Sequence, residues 1–143
     1  MKELVSVLLC TYKEPVGWVQ QAFYSILNQT YENIEIIIVV DNPDNYEVIS
    51  FFQHVLDKFN NVKVIINKTN LGLVSSLNKG LCYCEGKYIA RMDADDISLK
   101  DRIEQQVNYI KTHNFDLVGT IVQPFNDNGE MYPWHTCCTD YFI

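Results

Sequence analysis

The sequence predicts an α/β fold: an open, mostly parallel, Rossmann-like sheet with helices on both faces. Two observations carry this expectation. Short runs of apolar, β-branched residues recur without polar alternation, which marks strands covered on both faces. Between them lie segments with apolar residues at helical spacing, and strand–helix alternation of this kind builds right-handed βαβ units. At 143 residues and 48% hydrophobic, the chain has material for one core. One α/β unit is therefore expected over residues 1–125, followed by a tail over 126–143.

The elements follow in order. Leu4 to Cys10 (LVSVLLC) is the first strand. Pro15 suits the first position of a helix, and Val16, Val19, Phe23, Ile26 and Leu27 form its apolar stripe. Ile34 to Val40 (IEIIIVV) is the strongest strand. Asp44-x-x-Glu47 resembles a capping box ahead of Val48, Phe52, Val55, Leu56 and Phe59. Val62 to Ile66 is the third strand. Val74, Leu77 and Leu81 stripe a third helix, with Gly86 as the stop signal. Lys87 to Met92 is the fourth strand, after which Ser98 can cap a helix carrying Ile103, Val107 and Ile110. Leu117 to Val122 reads as a fifth strand. From Asn126-Asp127-Asn128-Gly129 the rhythm gives way to a hairpin-type turn and then to the tail with Tyr132-Pro133-Trp134.

Composition excludes several classes. The net charge of -7 argues against a nucleic-acid binder, whose affinity rests on Lys and Arg meeting phosphates. No apolar run approaches the roughly 20 residues that span a bilayer. The opening Met1 to Cys10 has too short an apolar stretch for a secretory signal. Cys10, Cys82, Cys84, Cys137 and Cys138 make an odd count without a CxxC pair, which reads as reduced thiols of a cytoplasmic protein. His54, His113 and His135 read as surface or core histidines.

In open α/β sheets, ligands bind outside the carboxyl ends of the strands. Those ends carry Thr11 and Tyr12, then Asp41, then Asn67 with Asn70-Leu71-Gly72, and finally Arg91-Met92-Asp93-Ala94-Asp95-Asp96. Three carboxylates in four positions repel one another, since two unit charges about 4 Å apart cost roughly 4 kcal/mol at an effective dielectric near 20. The cluster calls for a positive partner. The first turn, Cys10-Thr11-Tyr12-Lys13-Glu14-Pro15, has neither GxGxxG nor GK[ST], so a bound diphosphate lacks a glycine-lined cradle there. It would need a cation, and the Asp carboxylates are hard oxygen ligands suited to Mg2+ or Mn2+.

These residues resemble the inverting nucleotide-sugar glycosyltransferases of family 2, with the GT-A fold. The likeness runs through Val5 to Glu14, Ser25-Ile26-Leu27-Asn28-Gln29-Thr30-Tyr31 and Glu35 to Asp41. It continues through Asn70-Leu71-Gly72-Leu73 with Leu77-Asn78-Lys79-Gly80, and ends in Arg91 to Asp96. The resemblance implies that Thr11 and Glu14, with Tyr12, border the uridine and ribose of a UDP-sugar, and that Asp41 accepts a hydrogen bond from the uracil ring N–H. It implies that Asn70 belongs to the nucleotide site, that Asp95 meets the ribose or sugar, and that Asp96, with Asp95, holds the metal bridging the diphosphate. Asp93 would orient the turn and help Arg91 face the donor. An acceptor hydroxyl, on a saccharide or a lipid-linked glycan, would then attack the anomeric carbon with inversion, helped by a general base. Surface polysaccharide or glycoconjugate synthesis is the implied setting, in the cytoplasm or at the membrane surface.

Other readings stand beside these. Asp41 can cap the turn before Asn42-Pro43-Asp44, and Arg91 can be a structural partner of an Asp. Counting from Asp93, acids fall at positions one, three, nine (Asp101) and twelve (Glu104), close to an EF-hand, but Ile97 and Ser98 stand where an oxygen ligand and a glycine belong. A catalytically inactive nucleotide-binding module is a third class. The family's general base lies downstream, and the late acids Asp127, Glu130 and Asp140 are not assigned to that role. The chain is therefore expected to be the donor-binding part of a longer enzyme.

Overall fold

The structure, a computed structural model, describes residues 2–126 and 128–131. Four strands, β1 (Val5–Thr11), β2 (Ile34–Val40), β3 (Val62–Ile66) and β4 (Tyr88–Asp93), form one parallel sheet in the order β3-β2-β1-β4. They alternate with helices α1 (Val16–Leu27), α2 (Tyr46–Leu56), α3 (Leu73–Leu81) and α4 (Arg102–His113).

Strand alternation divides the apolar residues between two faces. Val5, Val7 and Leu9 of β1 and Ile36, Ile38 and Val40 of β2 join the larger core cluster with residues of α1, α2 and α4. On the opposite face Leu8, Ile37 and Val39 form a smaller cluster with Leu77 of α3. All seven residues of β2 are buried, as a doubly covered central strand requires.

Several local expectations need correction. Pro15 is the residue before α1 rather than its first helical residue. Asn45, not Asp44, caps α2, its side-chain oxygen accepting from the Val48 amide at 3.4 Å. The face of α3 turned to the sheet carries small residues: Ser76 and Gly80 are buried while Val74 and Leu81 are exposed. A Cβ at Gly80 would collide with Leu8 Cδ1, so the close approach of helix and sheet needs the glycine. Ser98 does not cap α4, which begins after Asp101. Because α3 packs on β1 and β2, the α3-side face of β4 stays open, with Ile89 and Arg91 exposed.

Leu117–Val122 does not form the expected fifth strand. The segment has no sheet partner among the described residues, and Leu117 and Ile121 are 80% and 78% exposed. Strand propensity reflects fit to a neighbour, and without one the ladder does not form. The turn at Asn126 is present: Phe125 and Met131 make an antiparallel bridge, and Gly129 takes φ 76°. Asp127, the Tyr132-Pro133-Trp134 segment, His135, Cys137, Cys138 and Asp140 lie outside the described residues.

Candidate functional site

The parallel register sets the strand ends level. Cys10 pairs with Asp93 and Thr11 with Val40, so Thr11, Asp41 and Asp93 end neighbouring strands side by side. Asn67 follows β3 on the far side of Asp41, its amide donating to Val40 O at 2.9 Å. Half-buried Cys10 lies in the field of Asp41, Arg91, Asp93 and Glu14. Burial first, then Asp41, pushes its thiol up to about 11, so at neutral pH it is a protonated thiol rather than a nucleophile.

The first turn is braced from within. Glu14 Oε2 accepts from Thr11 Oγ1 at 2.8 Å and from the Tyr12 amide at 2.6 Å, which folds the chain back before α1. Asn45 Nδ2 reaches Tyr12 O at 3.5 Å, and Lys13 Nζ sits 4.9 Å over the Tyr12 ring.

Asp41 is 4% exposed and forms the middle of a buried polar chain. Its Oδ1 accepts from Asn67 Nδ2 and the Leu71 amide, both at 2.8 Å, and its Oδ2 from the Gly72 amide at 2.9 Å. Asn67 also donates to Ser76 Oγ at 2.9 Å, while Lys79 Nζ donates to its Oδ1 at 2.7 Å and thereby fixes the amide's orientation. Burial alone would raise the Asp41 carboxyl, but the bonds from Leu71, Asn67, Ser76 and Gly72 outweigh it and hold the group below its ordinary value. Asn70 is exposed on the loop Asp41 secures, its Oδ1 accepting from the Gly72 amide at 2.8 Å. Gly72, at φ 81°, supplies the left-handed residue this turn requires.

The acidic cluster lies at the other side. Arg91 Nη2 bonds Asp93 Oδ1 at 2.6 Å, an exposed arginine and a half-buried aspartate on one face of β4. Asp93 O accepts from the Asp96 amide at 3.3 Å, closing a turn that leaves Asp95 and Asp96 exposed. Desolvation by the packed loop, then Asp93 and Asp95, push the Asp96 carboxyl up, while Arg102 and Arg91 pull it down. Arg102, absent from the sequence reading, is thus a positive neighbour of the cluster. Burial lowers it, its Nη1 lies 3.5 Å from Met92 Sδ, and its Nε has no hydrogen-bond partner among the described residues. Its signal in sequence was weak, an arginine six positions past Asp96 at the start of a helix.

The structure therefore brings together Thr11, Tyr12 and Glu14, joins Asp41 to the Asn70 loop, and pairs Arg91 with Asp93. It does not support the calcium-loop alternative. The segment entering Asp93 is strand, Asp101 accepts from Gln105 at 2.6 Å, and Glu104 is engaged by Thr30 at 2.7 Å. Among the described residues no three His, Cys, Asp or Glu side chains converge as a metal cage. Mg2+ and Mn2+ bound with a nucleotide do not need one, because one or two carboxylates, the phosphates and several waters make up their shell. The exposed, mutually repelling Asp95 and Asp96 have the donor chemistry for that arrangement.

The family model for glycosyl transferase family 2 matches residues 6–141. The chain belongs to glycosyl transferase family 2. The family 2 chain is 34% identical over 139 residues to the O-antigen biosynthesis glycosyltransferase WbnJ of Escherichia coli, covering 93% of this chain and 54% of that protein. It spans about half the length of two of the curated relatives it matches, and less of others. Among solved structures, Staphylococcus aureus TarS 1-349 in complex with UDP-GlcNAc superposes with a TM-score of 0.68 at 21% identity, over 87% of this chain and 38% of that one. The mannosyltransferase PcManGT of Pyrobaculum calidifontis, in complex with GDP-Man and Mn2+, gives a TM-score of 0.69 at 18% identity, over 77% and 33%. These likenesses establish the glycosyltransferase α/β fold. No helix among the described residues is long and apolar enough to cross a membrane.

Proposed function

We propose that residues 1–125 form the donor-binding unit of an inverting enzyme that transfers a sugar from a UDP-sugar to an acceptor hydroxyl. One observation carries this reading. Asn67, Asp41, Thr11 and Asp93 finish the four strands side by side, with the exposed Asp95 and Asp96 on the adjoining turn. Thr11, Tyr12 and Glu14 border the uridine and ribose. Asp41 offers Oδ2, which also accepts from the Gly72 amide, to the uracil ring N–H, and Asn70 flanks it. Asp95 meets the ribose or sugar, and Arg91, steadied by Asp93, faces the donor.

Asp96, with Asp95, holds Mn2+ or Mg2+, which when bound supplies Lewis-acid stabilisation of the leaving diphosphate. Inversion further requires a base for the acceptor hydroxyl proton, and residues 126–143 are the beginning of the acceptor side. The O-antigen relative supports a saccharide or lipid-linked acceptor and a role in surface polysaccharide synthesis. The working location is the cytoplasm, at the membrane surface where the acceptor is lipid-linked.

UDP should bind in preference to GDP and ADP. Adenine has no ring N–H on its pairing edge, and guanine brings a second ring into a site bounded by Asp41 and Thr11. Calorimetric titration with the three diphosphates in Mn2+ tests the assignment; equal or tighter binding of GDP or ADP overturns it.

A further inference from the structure

The segment Ser25 to Tyr31 belongs to no ligand contact proposed above, yet it grips the chain just beyond Asp96. Gln29 Nε2 lies 2.7 Å from Leu99 O, 3.1 Å from Ser98 Oγ and 3.0 Å from Ser25 O. Its Oε1 accepts from the Ile103 amide at 3.1 Å. That amide is one of the first N–H groups of α4, which have no partner within the helix, and Asp101 provides no side-chain cap. Gln29 therefore caps α4 from another element while its amide nitrogen ties down the preceding loop. Neighbours reinforce the grip: the buried Ser98 donates its amide to Ser25 Oγ at 3.0 Å, the Thr30 amide donates to Lys100 O at 2.7 Å, and Thr30 Oγ1 donates to Glu104 Oε2 at 2.7 Å.

We propose that Gln29 is a positioning residue for the cation site. It fixes the backbone that leads from Asp96 into α4 and so presets the carboxylates before metal arrives. The inference rests on the donor-site reading above. Mg2+ and Mn2+ sites tolerate little displacement of their oxygen ligands, and partners that orient such ligands typically contribute about 10- to 100-fold in metal affinity. A glutamine suits the task because its two ends differ: the carbonyl meets a helix amide while the NH2 meets loop carbonyl and hydroxyl oxygens.

The test is Mn2+ titration by electron paramagnetic resonance in the presence of UDP, with Tm measured on the same samples without metal. Gln29→Leu removes both ends; Gln29→Glu keeps an acceptor for Ile103 and so guards against loss of the fold. Glu35→Gln, at the opposite end of the sheet, is the destabilised control. Both Gln29 variants should bind Mn2+ about 10-fold or more weakly, whereas Glu35→Gln should lower Tm and leave Mn2+ affinity unchanged. Gln29 variants that lose Tm but keep full Mn2+ affinity would overturn the proposal. Asp96→Ala separates the two readings: if it too keeps full affinity, the donor-site assignment itself fails and takes the Gln29 proposal with it.

Discussion

Asp41 shows how one carboxylate can be prepared by its neighbours rather than by exposure. The Asn67 side chain and the Leu71 and Gly72 amides donate to it, and Lys79 acts at one remove by orienting Asn67. Asn67→Asp keeps the shape but removes the donor and sets two carboxylates together, so unfolding in urea should show a loss of at least about 2 kcal/mol; an unchanged midpoint would mean the chain of bonds carries no energy. Glu35 is the corresponding group at the amino end of the sheet. Burial would raise its carboxyl, but Ser6, the Glu85 amide and Lys63 hold it below the ordinary value. Its contribution is therefore present above the unfolded value of about 4.3 and lost as pH falls through the lower folded value. Stability measured from pH 6 down to pH 3 should fall less steeply in Glu35→Gln than in the parent chain. Neither network was legible in the sequence. Asp41, Asn67 and Asn70 stood out as strand-end residues, but the bonds that join them depend on the Asn67 side chain and the Leu71 and Gly72 amides meeting Asp41 from beyond the next strand.

At the scale of elements, the strongly patterned segments were readable and the contact faces were not. The run IEIIIVV needed only its own composition to be placed as a strand covered on both faces. Of the stripe proposed for α3, Leu77 packs inward but Val74 and Leu81 do not, because the inward face is chosen by close approach, which selects Ser76 and Gly80. The expected strand at Leu117–Val122 failed for a different reason: its residue types favour extension, but a ladder requires a partner. Close approach also ranks two substitutions. A Cβ at Gly86 would lie 2.5 Å from the Ser6 backbone nitrogen, whereas at Gly80 the first obstacle is a terminal side-chain methyl of Leu8 rather than backbone. Gly86→Ala should therefore destabilise by about 1 to 3 kcal/mol, and Gly80→Ala by less. Paired thermal melts decide the order, and a larger loss at Gly80 would contradict it.

The whole molecule sets its candidate site residues along one sheet edge because parallel strands all end there. The sequence pointed to that edge through the polar residues that follow each apolar run, and the family model matches residues 6–141. What composition hid were the groups acting from other elements: Arg102 beside Asp96, and Gln29 beneath the loop that follows it. The central claim is that the acidic turn binds a nucleoside diphosphate through a divalent cation held by Asp96. Thermal unfolding of the chain with UDP, Mn2+ or both tests it most directly. A ligand at about 100 times its dissociation constant stabilises the native state by roughly 2.7 kcal/mol, which for a domain near this size is a Tm rise of roughly 5 to 10 °C. The predicted result is that rise with UDP and Mn2+ together, little with either alone, and none of the metal-dependent part in Asp96→Ala. A full rise with UDP alone, the same rise in Asp96→Ala, or a full rise with Ca2+ in the absence of nucleotide would contradict the account.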